Sequence, residues 1–173
     1  VAIPTETVYG LAADAANPEA VAAIFEAKGR PADNPLIVHI SRMEQLDEVA
    51  AARPAGLEAL AERFWPGPLT VICPKGDRIP LITSGGLDTV AVRMPSHPVA
   101  RAIIEASAPL AAPSANRSGS PSTTTAQHCI DDLWGRVDAI VASGRCAVGV
   151  ESTVISLCGE VPTLLRPGAV TLE

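Results

Sequence analysis

The sequence predicts an α/β fold: a single domain built on a twisted, mixed, open sheet of parallel and antiparallel strands with flanking helices. Three observations predict it. Short runs rich in β-branched residues alternate with helix-compatible segments along the chain. No internal repeat and no break in composition marks a second unit. The 173 residues, 47% hydrophobic and 18% charged, suit one globular domain with a real core rather than a disordered chain.

The opening "VAIP" reads as the end of a strand. After a polar loop, "NPEAVAAIFEAKG" reads as a helix, with Asn17 as its cap, Pro18 in its first turn, and Ala22, Phe25 and Ala27 on its packed side. "PLIVHI" has the length and β-branched content of a buried strand. Two helical patterns follow, "RMEQLDEVAA" capped by Ser41 and "PAGLEALAERF" with Pro54 near its start. "LTVIC" and "TVAVR" are strands joined by a Gly/Pro/Asp-rich connection. "SHPVARAIIEAS" is a helix capped by Ser96 with Pro98 in its first turn. A short apolar "PLAA" leads into the polar "PSANRSGSPSTTT". A helix from about Ala126 to Leu133 comes next, then strands near "AIVA", "STVISL" and "TLLR".

Composition narrows the function. A net charge of −6 opposes general affinity for nucleic acid, which depends on neutralising many phosphates. Tyr9, Phe25, Phe64, Trp65 and Trp134 are too few for a base-stacking platform. Cys73, Cys129, Cys146 and Cys158 form no C-x-x-C pair, so free thiols of a reducing cytoplasm are expected rather than zinc ligands or disulfides. No run approaches the ~18 apolar residues that cross a bilayer, and no signal-peptide pattern is visible. A cytoplasmic protein without a membrane partner is the expectation.

The loops carry the chemistry. "PTETVYG", "KGRPADNPL", "WPGPLT", "VRMPSHP", "APSANRSGSPSTT", "GVEST" and "LRPG" all fall at the ends of predicted elements. Each mixes Pro or Gly with hydroxyl, amide or charged side chains. Each alone is an ordinary turn, but loops at strand ends of an open α/β sheet are where ligands bind. Lys28-Gly29-Arg30-Pro31 fits two readings. Gly29 and Pro31 end a helix and the cations suit its negative pole, an effect of ~0.3–1 kcal/mol at an exposed site. The same cations beside a phosphate would contribute more, about 4 kcal/mol for unit charges 4 Å apart at an effective dielectric of 20. Lys28, Arg30, Arg93 and Arg166 all lie in these loops, whereas Glu44, Asp47, Glu48, Glu58 and Glu62 lie on predicted helices. That segregation is what a polyanion pocket in an acidic protein needs.

No G-x-x-x-x-G-K-[ST] or G-x-G-x-x-G stretch occurs, which excludes P-loop and Rossmann nucleotide sites. Ser114 lacks a G-x-S-x-G elbow, and no local pattern pairs a serine with His39, His97 or His128, which argues against a serine hydrolase. His39 alone would be a core histidine, and Asn116 and Ser118 alone would form turn bonds.

Taken in order, "PTETVYGL", "KGRPADNPL", "WPGPLT", "VAVRMPSHP", "APSANRSGSPS", "GVESTV" and "LLRPGA" resemble the motifs of the YrdC-like family, the threonylcarbamoyl-AMP synthases, from Pro4 to Ala169. The resemblance implies a YrdC-like fold and the formation of L-threonylcarbamoyladenylate and pyrophosphate from L-threonine, bicarbonate or CO2, and ATP. It implies magnesium as the companion of ATP, with no metal ligand assigned on the chain. The product would serve N6-threonylcarbamoylation of adenosine in transfer RNA, completed by a downstream transferase complex. Matched position by position, it implies L-threonine binding by Thr7, His39, Arg93, Ser114 and Ser152, with Arg93 as a bidentate clamp for the carboxylate. It implies ATP contacts from Arg30, Asn34, Thr89, Asn116, Thr124 and Arg166, with Lys28 and Arg30 at the reacting groups. The run Ser122-Thr123-Thr124-Thr125 leaves the register of Thr124 open. It also implies sequence ahead of "VAIPTETVYG", so residues 1–173 are expected to form the YrdC-like domain without a short N-terminal segment and without a second domain. Two rivals stand beside this reading: an RNA-binding module of the same fold, and a carbamoyl-adenylate-forming domain of a hydrogenase-maturation protein.

Overall fold

The computed structural model describes residues 1–171. Its strands are β1 (Ala2–Ile3), β2 (Gly10–Leu11), β3 (Ala13–Asp14), β4 (Ile37–His39), β5 (Leu69–Pro74), β6 (Thr89–Arg93), β7 (Leu110–Ala111), β8 (Thr153–Ser156) and β9 (Thr163–Arg166). Its helices are α1 (Pro18–Lys28), α2 (Leu46–Val49), α3 (Leu57–Phe64), α4 (Leu81–Ser84), α5 (Pro98–Ala106) and α6 (Ala126–Leu133), with a 3-10 turn at Met43–Gln45. β1 and β2 form a small antiparallel ribbon, and the other seven strands form one sheet in the order β3-β7-β4-β6-β5-β8-β9. β4 and β6 run parallel, as do β5 and β8, and the remaining pairs are antiparallel. The sheet is therefore mixed, as expected.

Local signals set α1 at both ends. Asn17 Oδ1 accepts the backbone N–H groups of Glu19 and Ala20 at 3.0 and 3.1 Å. At the other end Gly29 adopts φ 61°, ψ 39°, a left-handed conformation that costs glycine little. This lets Gly29 N–H donate to Glu26 O and Arg30 N–H to Phe25 O, satisfying two terminal carbonyls. The helix buries Val21, Ile24, Phe25 and Ala27. Ala22 lies off that stripe and is exposed, which corrects its expected packing role.

Other expectations change in detail. α5 is capped by His97, whose Nδ1 accepts Val99 N–H at 3.2 Å, and not by Ser96, whose own N–H donates to Glu6 Oε2. The Ser41 hydroxyl meets Gln45 and Glu105 instead of a helix N–H, and Gln45 Oε1 accepts Ser41 N–H. α3 starts after Gly56, beyond Pro54. "AIVA" forms only an isolated bridge between Ile140 and Ala2 rather than a strand.

The register sorts the strand residues into two faces. Val38, Val71, Cys73, Val90 and Val92 share one face and join the main core with residues of α1, α3 and α6. The opposite face carries Ile37, His39, Thr70, Ile72, Ala91, Arg93 and Val154. On that side a smaller cluster packs Ala100 and Ile104 of α5 against Leu110 of β7 and the adjoining Ala112. Among the described residues no helix residue belongs to the lining over β4, β6, β5 and β8, and a cleft forms there under loops.

Candidate active site

The cleft has a volume of about 320 Å³. A row runs straight across the sheet beneath it, from which His39, Arg93, Val154 and Arg166 line the cleft while Thr70 is buried. His39 pairs with Arg93, Arg93 with Thr70, Thr70 with Val154, and Val154 with Arg166. Because alternate residues of a strand face the same way, five strands from distant parts of the sequence present side chains to one surface at this level.

Arg93 is held from three sides. Its Nη2 donates to Glu6 Oε1 at 2.5 Å, its Nη1 to Thr7 Oγ1 at 2.8 Å and its Nε to Gly67 O at 3.2 Å. Both members of the ion pair are buried, with side chains 4% and 9% exposed. Burial pulls the Arg93 guanidinium below its ordinary range, and the adjacent Glu6 carboxylate offsets that cost. The "TET" loop is wired through its hydroxyls. Thr5 Oγ1 donates to Val8 O at 2.6 Å, so the 3.0 Å contact between Thr5 and Thr7 takes its proton from Thr7. With that proton spent, Thr7 has only acceptor capacity left for a ligand. Three of the five guanidinium N–H groups of Arg93 are likewise spent within the protein, leaving two.

His39 is buried beside this pair. Burial, with the Arg93 charge second, pushes its imidazole down to about 3. The ring is therefore neutral near pH 7. Its Nδ1 lies 3.2 Å from Ile37 O, so Nδ1 carries the proton and Nε2 is an acceptor.

The far wall comes from "GVEST" and "LRPG". Arg166 Nε and Nη2 donate to Ser152 O at 3.1 and 2.9 Å, Nη2 also donates to Ser152 Oγ at 3.0 Å, and Nη1 donates to Glu151 Oε2 at 2.6 Å. Ser152 Oγ lies 2.7 Å from Thr70 Oγ1. Gly168 permits this junction, because a Cβ there would collide with the backbone of Glu151, Ser152 and Thr153.

The near wall follows α1. Arg30 and Asn34 line the cleft, and Arg30 Nε is buried with no hydrogen-bond partner. Lys28 turns elsewhere: its Nζ donates to the backbone oxygens of Ser114 and Asn116, and its own carbonyl accepts Ser118 N–H. It fastens the loop that brings Ser114 to the cleft. Burial first and the Arg30 charge second push the Lys28 ammonium down to about 8.

Of the residues assigned by resemblance, Thr7, Arg30, Asn34, His39, Arg93, Ser114, Ser152 and Arg166 converge on the cleft. Lys28, Thr89, Asn116 and Thr124 are not in its lining. Thr89 shares the face of Arg93 but stands at the opposite end of β6, paired with Pro74. Asn116 Nδ2 donates to Arg117 O and Ser120 O, while its Oδ1 is buried without a partner. In the hydroxyl run it is Ser122, not Thr124, that is tied to the cleft, through a 2.9 Å bond to Glu151. Sequence reasoning passed over Glu6, Thr70 and Glu151. Both glutamates sit inside quoted loops; Glu6, between the buried Thr5 and Thr7, carried the signal of a carboxylate packed into a core, and Glu151 carried none. Thr70 had only its place in a strand.

Comparison with known proteins agrees with this architecture. Residues 1–168 match the model of the Sua5/YciO/YrdC family, described as "Telomere recombination". A threonylcarbamoyl-AMP synthase of Pyrococcus abyssi is 57% identical over 174 residues, covering 100% of this chain and 51% of that protein. One of Bacillus subtilis is 54% identical over 175 residues, with the same coverage of each. The crystal structure of P. abyssi Sua5 complexed with L-threonine superimposes with a TM-score of 0.95 at 56% identity, covering 96% of this chain and 49% of that one. The chain spans about half the length of these relatives. From the ordered loops, the cleft they build and these matches, the chain belongs to the Sua5/YciO/YrdC family.

Proposed function

We propose that this chain carries the catalytic cleft of a threonylcarbamoyl-AMP synthase. One observation carries the reading: Arg30, Arg93 and Arg166, distant in sequence, line a single cleft of a protein whose net charge is −6, and Arg30 Nε is buried there without an acceptor. Such a cleft is complementary to a ligand that is multiply anionic. The names of the relatives and the L-threonine in the P. abyssi structure support the choice of ligands.

In this reading L-threonine, bicarbonate and ATP give threonylcarbamoyl-adenylate, pyrophosphate and water. The threonine amine adds to CO2, a carbamate oxygen attacks the α-phosphorus, and the bond from that phosphorus to the bridging oxygen breaks as pyrophosphate leaves. The protein supplies position and charge rather than a nucleophile. Neutral His39 and acceptor-only Thr7 suit the donors of threonine, and the two unspent N–H groups of Arg93 suit its carboxylate. Arg30 and Arg166 face the phosphates. The loops over the cleft limit water, to which the carbamate is labile. Magnesium would enter with the triphosphate. Among the described residues no group of three or more His, Cys, Asp or Glu side chains could hold a metal ion.

The product would pass to a transfer RNA threonylcarbamoyl transferase in the cytoplasm. Among the described residues no helix is long and apolar enough to cross a membrane. The test is pyrophosphate release by the purified chain with each substrate omitted in turn. Release that requires threonine, bicarbonate and ATP together, with threonylcarbamoyl-adenylate identified by mass, is expected. Release without threonine, or no adenylate at all, would sink the reading.

A further inference from the structure

Arg166 does not need Glu151 to stay in place. Three hydrogen bonds fix its guanidinium to Ser152, and these involve Nε and both N–H groups of Nη2. Glu151 takes one N–H of Nη1, leaving a single unspent donor on Arg166. Glu151 is itself lightly held. Its side chain is 40% exposed, and besides Arg166 its carboxylate has one further side-chain bond, from the Ser122 hydroxyl. Among the described residues it is also the one carboxylate in the lining of a cleft that otherwise presents three arginines. A phosphate needs the position that this carboxylate fills: an acceptor oxygen on Nη1, with negative charge toward Arg30.

We propose that Glu151 is an internal counter-ion that occupies the anion seat of Arg166 in the empty cleft and is displaced by the incoming polyphosphate, so that it sets the affinity for that group. This rests on the reading of the cleft as a polyphosphate site. Displacement frees a second N–H of Nη1, so Arg166 can offer a phosphate both charge-assisted donors of that nitrogen. It also releases Ser122, whose loop is tethered to the far wall through Glu151. The carboxylate thus links occupancy of the phosphate seat to the Ser122 side chain, in a loop that Tyr9 N–H and Cys146 N–H hold separately at the Thr123 and Thr124 carbonyls. Glu151 is a specificity-determining residue in this scheme: a weak or singly charged anion does not outcompete a tethered carboxylate, and a polyphosphate does.

The test is calorimetric titration of inorganic tripolyphosphate, at fixed ionic strength and without magnesium, into the wild type, Glu151→Gln, Ser122→Ala and Glu62→Gln. Glu62 lies on exposed surface of α3 and controls for the loss of one negative charge. On the order of ten-fold tighter binding is expected for Glu151→Gln, about 1.4 kcal/mol. A smaller gain is expected for Ser122→Ala and none for Glu62→Gln. A merely structural role would not tighten anion binding. Unchanged or weaker affinity in Glu151→Gln, an equal gain in Glu62→Gln, or no binding by any variant would overturn the proposal. Adenylate formation by the same preparations separates the two ideas. Synthesis by the wild type with no tightening in Glu151→Gln removes only the counter-ion, whereas tightening without synthesis removes only the synthase.

Discussion

Two arginine–carboxylate pairs border the same cleft, and their chemistry diverges with burial. Arg93 and Glu6 are 4% and 9% exposed, while Arg166 and Glu151 are 38% and 40% exposed. In the first pair each charge has lost its water, so each depends on the other, and Ser96 N–H and Gly67 O complete the set. In the second pair water remains an alternative partner for the carboxylate, and Arg166 is secured by backbone and hydroxyl oxygens of Ser152 regardless. The same two residue types therefore make a structural joint in one wall and an exchangeable contact in the other.

The largest expected effect breaks the first pair. Glu6→Ala leaves a buried guanidinium uncompensated and should lower stability by about 3–5 kcal/mol. Glu151→Ala should lower it by less than about 1 kcal/mol, because its pair is screened by solvent. Denaturant midpoints of the two variants, converted with a common m-value, check the comparison. Equal losses would erase the distinction drawn from burial.

A pH series sharpens it further, because buried groups respond to protons through stability. His39 titrates at about 3 when folded against an ordinary 6.5, so between those values the unfolded chain holds a proton that the folded chain lacks. Stability is then lost as pH falls through that window, by up to about 1.4 kcal/mol per pH unit. His39→Gln should show a flatter slope there than the wild type in urea unfolding followed from pH 6.5 to 3.5.

A second pH window concerns Lys28, which titrates at about 8 folded against 10.5. Its contribution rises with pH between those values, since the unfolded chain again binds the extra proton. Lys28→Met should remove that component of the slope between pH 8 and 10. An unaltered slope would mean that the ammonium is not confined by the Ser114 and Asn116 carbonyls as described.

Much of this was legible beforehand, for reasons that differ from element to element. α1 was readable because Asn17, Pro18 and Gly29 are local signals that act within one turn of chain. The cap of α5 was misassigned because the helix starts at Pro98, which makes His97 the cap residue, and its Nδ1 accepts Val99 N–H as a serine hydroxyl would. "AIVA" has strand composition but gains only one bridge, since β-structure requires a partner and not just propensity. Among site residues, Arg30 and Lys28 stood two apart and looked equivalent. The left-handed Gly29 between them, together with packing against the 114–118 loop, sends one to the cleft and the other to backbone oxygens.

The sequence by itself determined the α/β class, the limits of α1 and α6, and the set of loops in which the cleft residues lie. Those features depend on residue spacing, caps and turn chemistry, which act over a few residues. The tertiary structure alone decided that β7 lies between β3 and β4 and that β5 lies beside β8, and therefore that His39, Arg93, Thr70 and Arg166 form one row. It alone decided which carboxylate each arginine meets and how much water reaches that pair. Burial and long-range pairing are properties of the packed chain, and they separate a fixed ion pair from one that a ligand can open.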